Sequence, residues 1–148
     1  MSDLKGGFYY LATPYTNYPN GIEASFTDSC IIAARLTKMG LIVFSPVVHS
    51  HAISVHGDIN PKDHELWMAI DRPMVNAARG LIVAMLSGWD ESLGVKVEID
   101  LFKQAGKPIF YLNPDDLPPY SMRQSAQSQQ NVVAFMVTQR TTSTEPTG

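Results

Sequence analysis

Four short apolar runs mark the first three quarters of the chain: Phe8 to Ala12, Leu41 to Phe44, Leu81 to Leu86 and Ile109 to Leu112. Each is too short for a core helix and lacks the polar alternation of a strand wetted on one side. They are expected to be strands buried on both faces. Between them the period changes. Phe26, Cys30 and Ala33, flanked by Ile32, Leu36 and Met39, form a broad apolar stripe, predicting a helix from Ile22 to Lys38 that Gly40 closes. A second helix is expected to start at Asn60-Pro61, with Asp63 and Glu65 in its first turn and Leu66, Ile70, Met74 and Ala77 on its packing face. Pro73 biases Arg72 away from helical geometry, so a kink or restart is expected around Asp71-Arg72. A third helix fills the space between Leu86 and Ile109.

Strands alternating with helices predict an α/β chain: a single Rossmann-like (flavodoxin-like) domain over residues 1–138, with an open parallel sheet of about five strands and helices on both faces. The fifth strand is placed at Asn131 to Val137, on the sheet edge, and residues 139–148 are expected to be a disordered tail.

Composition narrows the picture modestly. A chain of 148 residues, 45% hydrophobic with a net charge of −3, is large enough to bury a core without disulfides and carries no electrostatic footprint for polymeric nucleic acid. The lone Cys30 has no internal partner, no apolar run reaches membrane-spanning length, and the first residues do not read as a signal peptide. A cytoplasmic protein with neither membrane nor polynucleotide as partner is the expectation.

The candidate chemistry gathers after the Leu81 run. In an open parallel sheet the ligand crevice lies at the carboxyl ends of the strands. There the chain places Ser87, Gly88, Trp89, Asp90 and Ser92, and then a helix begins. The start of a helix offers unpaired N–H groups and the positive end of the dipole, so Ser92, Leu93 and Gly94 form a cradle for a phosphate or carboxylate. Glu98 follows six residues later, about 9 Å along the axis, and shares a helix face with Val95 and Phe102.

The order Ser92-Leu93-Gly94-x-x-x-Glu98, after an apolar strand and before Gly106-Lys107-Pro108-Ile109, resembles the nucleoside 2-deoxyribosyltransferase superfamily. It is most similar to the branch that hydrolyses nucleoside 5'-monophosphates, and Ser87-Gly88-Trp89 resembles an uncharacterised subgroup. The resemblance covers Phe8 to Leu112. It implies that Glu98 is the nucleophile, that Asp71 handles the proton of the departing base, and that Tyr10, at the end of the first strand, orients Glu98. It further implies that Ser92 and Gly94 bind phosphate with Ser87, Gly88 and Trp89 nearby, and that Thr13, Ser45-Pro46 and His49-Ser50-His51 border the base. No cofactor is implied, and a homodimer or higher homo-oligomer is. The small-molecule partner would be a nucleotide or nucleoside.

Other readings of the same residues stay open. His49-Ser50-His51 on an extended segment would place two imidazoles on one face, as a metal site requires, though no carboxylate or Cys accompanies them, so no metal is assigned. The loop from Thr16 to Gly21 is either a flexible lid or a plain connection. Asp71 could simply cap a restarted helix. The activity could be transfer of deoxyribose between bases, and the pocket could belong to a nucleotide sensor without chemistry or to a decoy.

Overall fold

A computed structural model describes residues 6–117. Its sheet is built from β1 (Tyr9–Ala12), β2 (Val43–Phe44), β3 (Gly80–Ala84) and β4 (Ile109–Leu112), all parallel, in the order β2-β1-β3-β4. The chain is therefore α/β with an open parallel sheet, which has four strands among the described residues. The strand expected at 131–137 and the tail expected at 139–148 lie outside the described residues.

Side chains alternate across the sheet, and two cores result. On one face Leu11, Ile82, Phe110 and Leu112 pack with Ile32, Leu36 and Leu41 beneath α1 (Ile22–Lys38). On the other, Tyr10, Ala12, Leu81 and Val83 meet Val75 of α3 (His64–Ala77) and Val95 and Phe102 of α4 (Leu93–Gln104). Burial on both faces is why these strands read as continuous apolar runs. Gly80 admits the neighbouring strand: a Cβ there would stand 2.8 Å from the carbonyl oxygen of Pro108.

Three expectations are corrected. Residues Pro46–Gly57 form a helix, α2, rather than an extended segment: Ser45 accepts a hydrogen bond from the Val48 N–H, Pro46 occupies the first turn, and Asp58 closes the helix in the left-handed region. Asn60-Pro61 is a turn, not a helix start, because Asp63 accepts from the Leu66 N–H and starts α3 three residues later. Finally, α3 runs unbroken through Asp71-Arg72-Pro73. Ala69, Arg72 and Pro73 all lie on its exposed side, so the carbonyl robbed of the proline's N–H can bond to water.

The buried face of α3 also differs from the expected one. Trp67 and Val75 are buried and Ala78 follows them, while Leu66 is 39% exposed. The spacing of four, four and three from Trp67 through Asp71 and Val75 to Ala78 puts Asp71 on the inward stripe. The far end of α3 is fixed by Lys107, whose Nζ donates to the carbonyls of Val75 (2.9 Å), Asn76 (2.6 Å) and Ala78 (2.7 Å). A cation on three carbonyls at a helix terminus satisfies both the orphan acceptors and the dipole. Lys107→Met should therefore lower the unfolding free energy by about 2 kcal/mol, since it strips charge-assisted partners from part-buried carbonyls. Urea denaturation measures this, and an unchanged midpoint would contradict it.

Candidate active site

Tyr10 is fully buried at the centre of the α3/α4 side of the sheet. Its ring lies between Phe44 at 5.8 Å and Phe102 at 5.5 Å, which leaves the hydroxyl little freedom. Asp71 arrives from the inward stripe of α3. Glu98 arrives from α4, between Val95 and Phe102, both with no exposed surface. Phe102 is expected from the sequence on the Glu98 face of its helix, whereas Phe44 reads there only as the last residue of a strand and carries no signal beyond its burial.

Three groups thus converge from three elements, and each keeps an unsatisfied atom: Tyr10 Oη, Asp71 Oδ1 and Glu98 Oε2 are buried without a hydrogen-bond partner. Such atoms are scarce in native proteins and call for an explanation. The electrostatics agree with the geometry. Burial pushes the Glu98 carboxyl up to about 8; the Tyr10 hydroxyl pulls it partway back, and the charge of Asp71 pushes it further up. Burial also raises Asp71 to about 6. The Tyr10 phenol is raised far out of the physiological range by burial, then by Glu98 and Asp71, and remains protonated. Tyr10 stands close enough to favour the ionised form of Glu98, yet falls short of a well-formed hydrogen bond. Glu98 as a residue retains some surface while its Oε2 is sealed.

Above Glu98 lies the tip of α4. A chain of turns over 86–92 leads into it, with Gly88 at φ 81° and Ser92 as the capping residue, its Oγ accepting from the Val95 N–H at 3.3 Å. Leu93 is 78% exposed, and a Cβ on Gly94 would meet nothing nearer than Ser92 Oγ at 3.9 Å. The tip is open to a ligand. Ser87 and Gly88 are exposed beside it, whereas Trp89 is half-buried with its ring 5.7 Å from that of Tyr111, a packing contact. Asp90 and Glu91 bring negative charge to the approach, and Lys96 brings one positive charge a turn further in.

The residues expected around the base divide. Thr13 is buried and its hydroxyl is 2.7 Å from Ser29 Oγ. The neighbouring carbonyl of Pro14 accepts from Ser25, and the Tyr18 hydroxyl donates to Asp28 at 2.6 Å. With Tyr15 bound to His51, the segment after β1 is tied down at four points, of which one, Tyr18, lies within the Thr16 to Gly21 loop. His49 and His51, two residues apart on a helix, point about 200° away from each other, so the one-sided pair of imidazoles does not form. His51 is buried, with Nδ1 2.7 Å from the Tyr15 hydroxyl, Nε2 3.1 Å from Glu23 Oε1, and its ring stacked on Phe26. Both of its nitrogens are engaged, Nδ1 with the loop and Nε2 with α1. His49 is exposed and rests its ring 5.7 Å from Phe44. Pro46 is buried in the first turn of α2.

A separate open hollow along α3, lined by His64, Glu65, Met68, Ala69 and Arg72, contains none of the unpartnered atoms. No helix among the described residues is long and apolar enough to cross a membrane.

No curated protein matches the chain. A family model does, over residues 7–113, a stretch that takes in all four described strands, Tyr10, Asp71 and Glu98. The chain belongs to the family described as "Domain of unknown function (DUF1937)".

Proposed function

We propose that the protein cleaves the N-glycosidic bond of a nucleoside 5'-monophosphate, a 2'-deoxy one by preference, releasing free base and sugar 5-phosphate. One observation carries this reading: two carboxyls and a phenol, each with an unsatisfied buried atom, meet below an open helix tip. Cleaving the bond from C1' to the base nitrogen builds positive charge on the sugar and negative charge on the base. Ionised Glu98 bonds C1' as that bond breaks, and the base departs with the electron pair and a proton from Asp71. Water then attacks C1', giving up its proton to the ionised Asp71, and Glu98 leaves as a carboxylate. Tyr10, wedged between two aromatic rings, holds Glu98 in the attacking position. The N–H groups of the α4 tip, with Ser92 and Ser87, hold the phosphate.

A second reading, transfer of deoxyribose between bases on free nucleosides, is favoured by Asp90 and Glu91, whose charges oppose a dianion at the tip. A panel of nucleosides and nucleoside monophosphates, followed by detection of free base, separates the readings. Base released from monophosphates in water supports the hydrolase. Release only when an acceptor base is added supports the transferase, and binding without release supports a sensor.

The grip at the tip has its own test. Gly94 has helical backbone and open space at its Cβ, so Gly94→Ala should preserve or slightly raise stability. The added methyl would stand where the phosphate docks, raising KM for monophosphates about tenfold, a loss of roughly 1.4 kcal/mol, while any nucleoside activity stays level. Equal effects on both substrates would remove the cradle.

A further inference from the structure

Large apolar side chains left outside the core mostly stand singly here, which is ordinary for a folded surface. Ile31 is on α1, Ile42 precedes β2, and Ile53 and Val55, two residues apart on α2, point about 200° from each other. The α3/α4 side of the sheet is different. On α4, Leu93 and Val97 (46% exposed) stand one turn apart, on the side of the helix away from Val95, Glu98 and Phe102. On α3, exposed Leu66 and half-buried Ile70 and Met74 form a second apolar stripe, beside the one that Trp67, Asp71 and Val75 turn to the sheet. A helix with two apolar stripes, only one of them on its own core, offers the other to a partner. Two such helices, about 18 and 21 Å long, make a face of the size that helix bundles bury between neighbours.

The charges choose the partner. Lys103 and Glu91 are equally far along the chain from Val97 in opposite directions, and Ser92, Lys96 and Lys103 share one stripe of α4 at spacings of four and seven. If two copies pack α4 on α4, antiparallel about Val97, the axes stand about 8–10 Å apart and the last turn of each helix lies beside the first turn of the other. Opposed dipoles favour that pairing, and it carries Lys103 to the Glu91-Ser92 end of its neighbour. That end has a use for a cation, since Asp90 and Glu91 oppose an anion there.

We propose that two copies of the chain pair through α3 and α4, antiparallel about Val97, and that Lys103 of each copy completes the anion site at the α4 tip of the other. A homo-oligomer was already expected from the resemblance; the face it uses and the residue it delivers are what α3 and α4 add. The anion site rests on the N-glycosidase reading, whereas the pairing does not.

The test compares the full chain with Val97→Arg and Lys103→Gln, by sedimentation and by calorimetric binding of 2-deoxyribose 5-phosphate, a probe with a phosphate and no base. Circular dichroism checks the fold of each. The parent should sediment as a dimer. Val97→Arg should be a folded monomer that binds the probe about tenfold more weakly, although its added positive charge could only help an anion at its own tip. Lys103→Gln should stay dimeric and lose the same factor. A monomeric parent overturns the pairing, including the case in which residues 118–148 cover the face. A parent that does not bind the probe overturns the delivery of Lys103, as does parental affinity in either variant. A dimer that holds the probe through Lys103 but releases no base keeps this inference and loses the glycosidase. Base released equally from monophosphates by the parent and both variants keeps the glycosidase and loses this inference.

Discussion

Glu98→Gln should cut base release by more than about a thousandfold, because the amide can neither bond C1' nor leave it again. It should also stabilise the protein above neutral pH. The native carboxyl titrates at about 8, well above its ordinary value of 4.5, so the folded state holds a proton that the unfolded state has released. The linkage follows in sign: the stability present below pH 4.5 declines as pH rises, and the decline is complete above 8. Glutamine stays neutral throughout. The difference between variant and parent should therefore grow from near zero at pH 4.5 to roughly 3 kcal/mol at pH 8.5, discounted from the full shift because Glu98 is only partly buried as a residue. Urea titrations at the two ends of that range measure it. A variant equally destabilised at both would mean that Glu98 is held by bonds the fold depends on, and that its burial serves structure.

These pKa directions also shape the rate. The chemistry needs Glu98 ionised and Asp71 protonated, whereas the resting pair, with Asp71 at about 6 and Glu98 at about 8, holds its single proton on Glu98. Positive charge growing on the sugar beside Glu98 favours the other distribution, so substrate itself moves the proton. Only the singly protonated pair can react, and kcat/KM should form a bell with limbs near 6 and 8 that belong to the pair rather than to either residue.

How much of this was legible beforehand varies with the kind of signal. The inward face of α4 could be read from Val95, Glu98 and Phe102, since a strict spacing of three and four fixes the phase of a helix. The same rule misled in α3. Leu66, Ile70, Met74 and Ala77 satisfy the period as well as Trp67, Asp71, Val75 and Ala78 do, and burial of the large Trp67 ring, with its Nε1 donating to the Asn60 carbonyl, decides between them. Asp71 accordingly faces the crevice through helical phase, not through the break that Pro73 suggested. α2 was hidden because Val47, Val48, Ile53 and Val55 carry strand character, and only Ser45-Pro46 announced a helix. Its stability is tertiary: Pro46, His51 and Ser54 are buried against neighbours that no local window contains. The ties that hold the loop after β1 link Thr13 to Ser29, Tyr15 to His51 and Tyr18 to Asp28, pairs that only the folded chain brings together.

Asp71→Asn separates the role of the acid from that of the nucleophile. With an ordinary purine or pyrimidine the base leaves as an anion unless protonated, so removing the acid should slow release about a hundredfold to a thousandfold. A purine already methylated at N7 carries its positive charge before the bond breaks and departs neutral without a proton. For that substrate the variant should lose no more than a few-fold, and the high-pH limb of the bell should flatten in the parent as well, since ionising the pair fully no longer removes anything the leaving group needs. Glu98→Gln should fail on both substrates, because C1' still needs its carboxylate. If Asp71→Asn were equally slow with the methylated purine, the carboxyl on α3 would be acting on the sugar or on the position of Glu98.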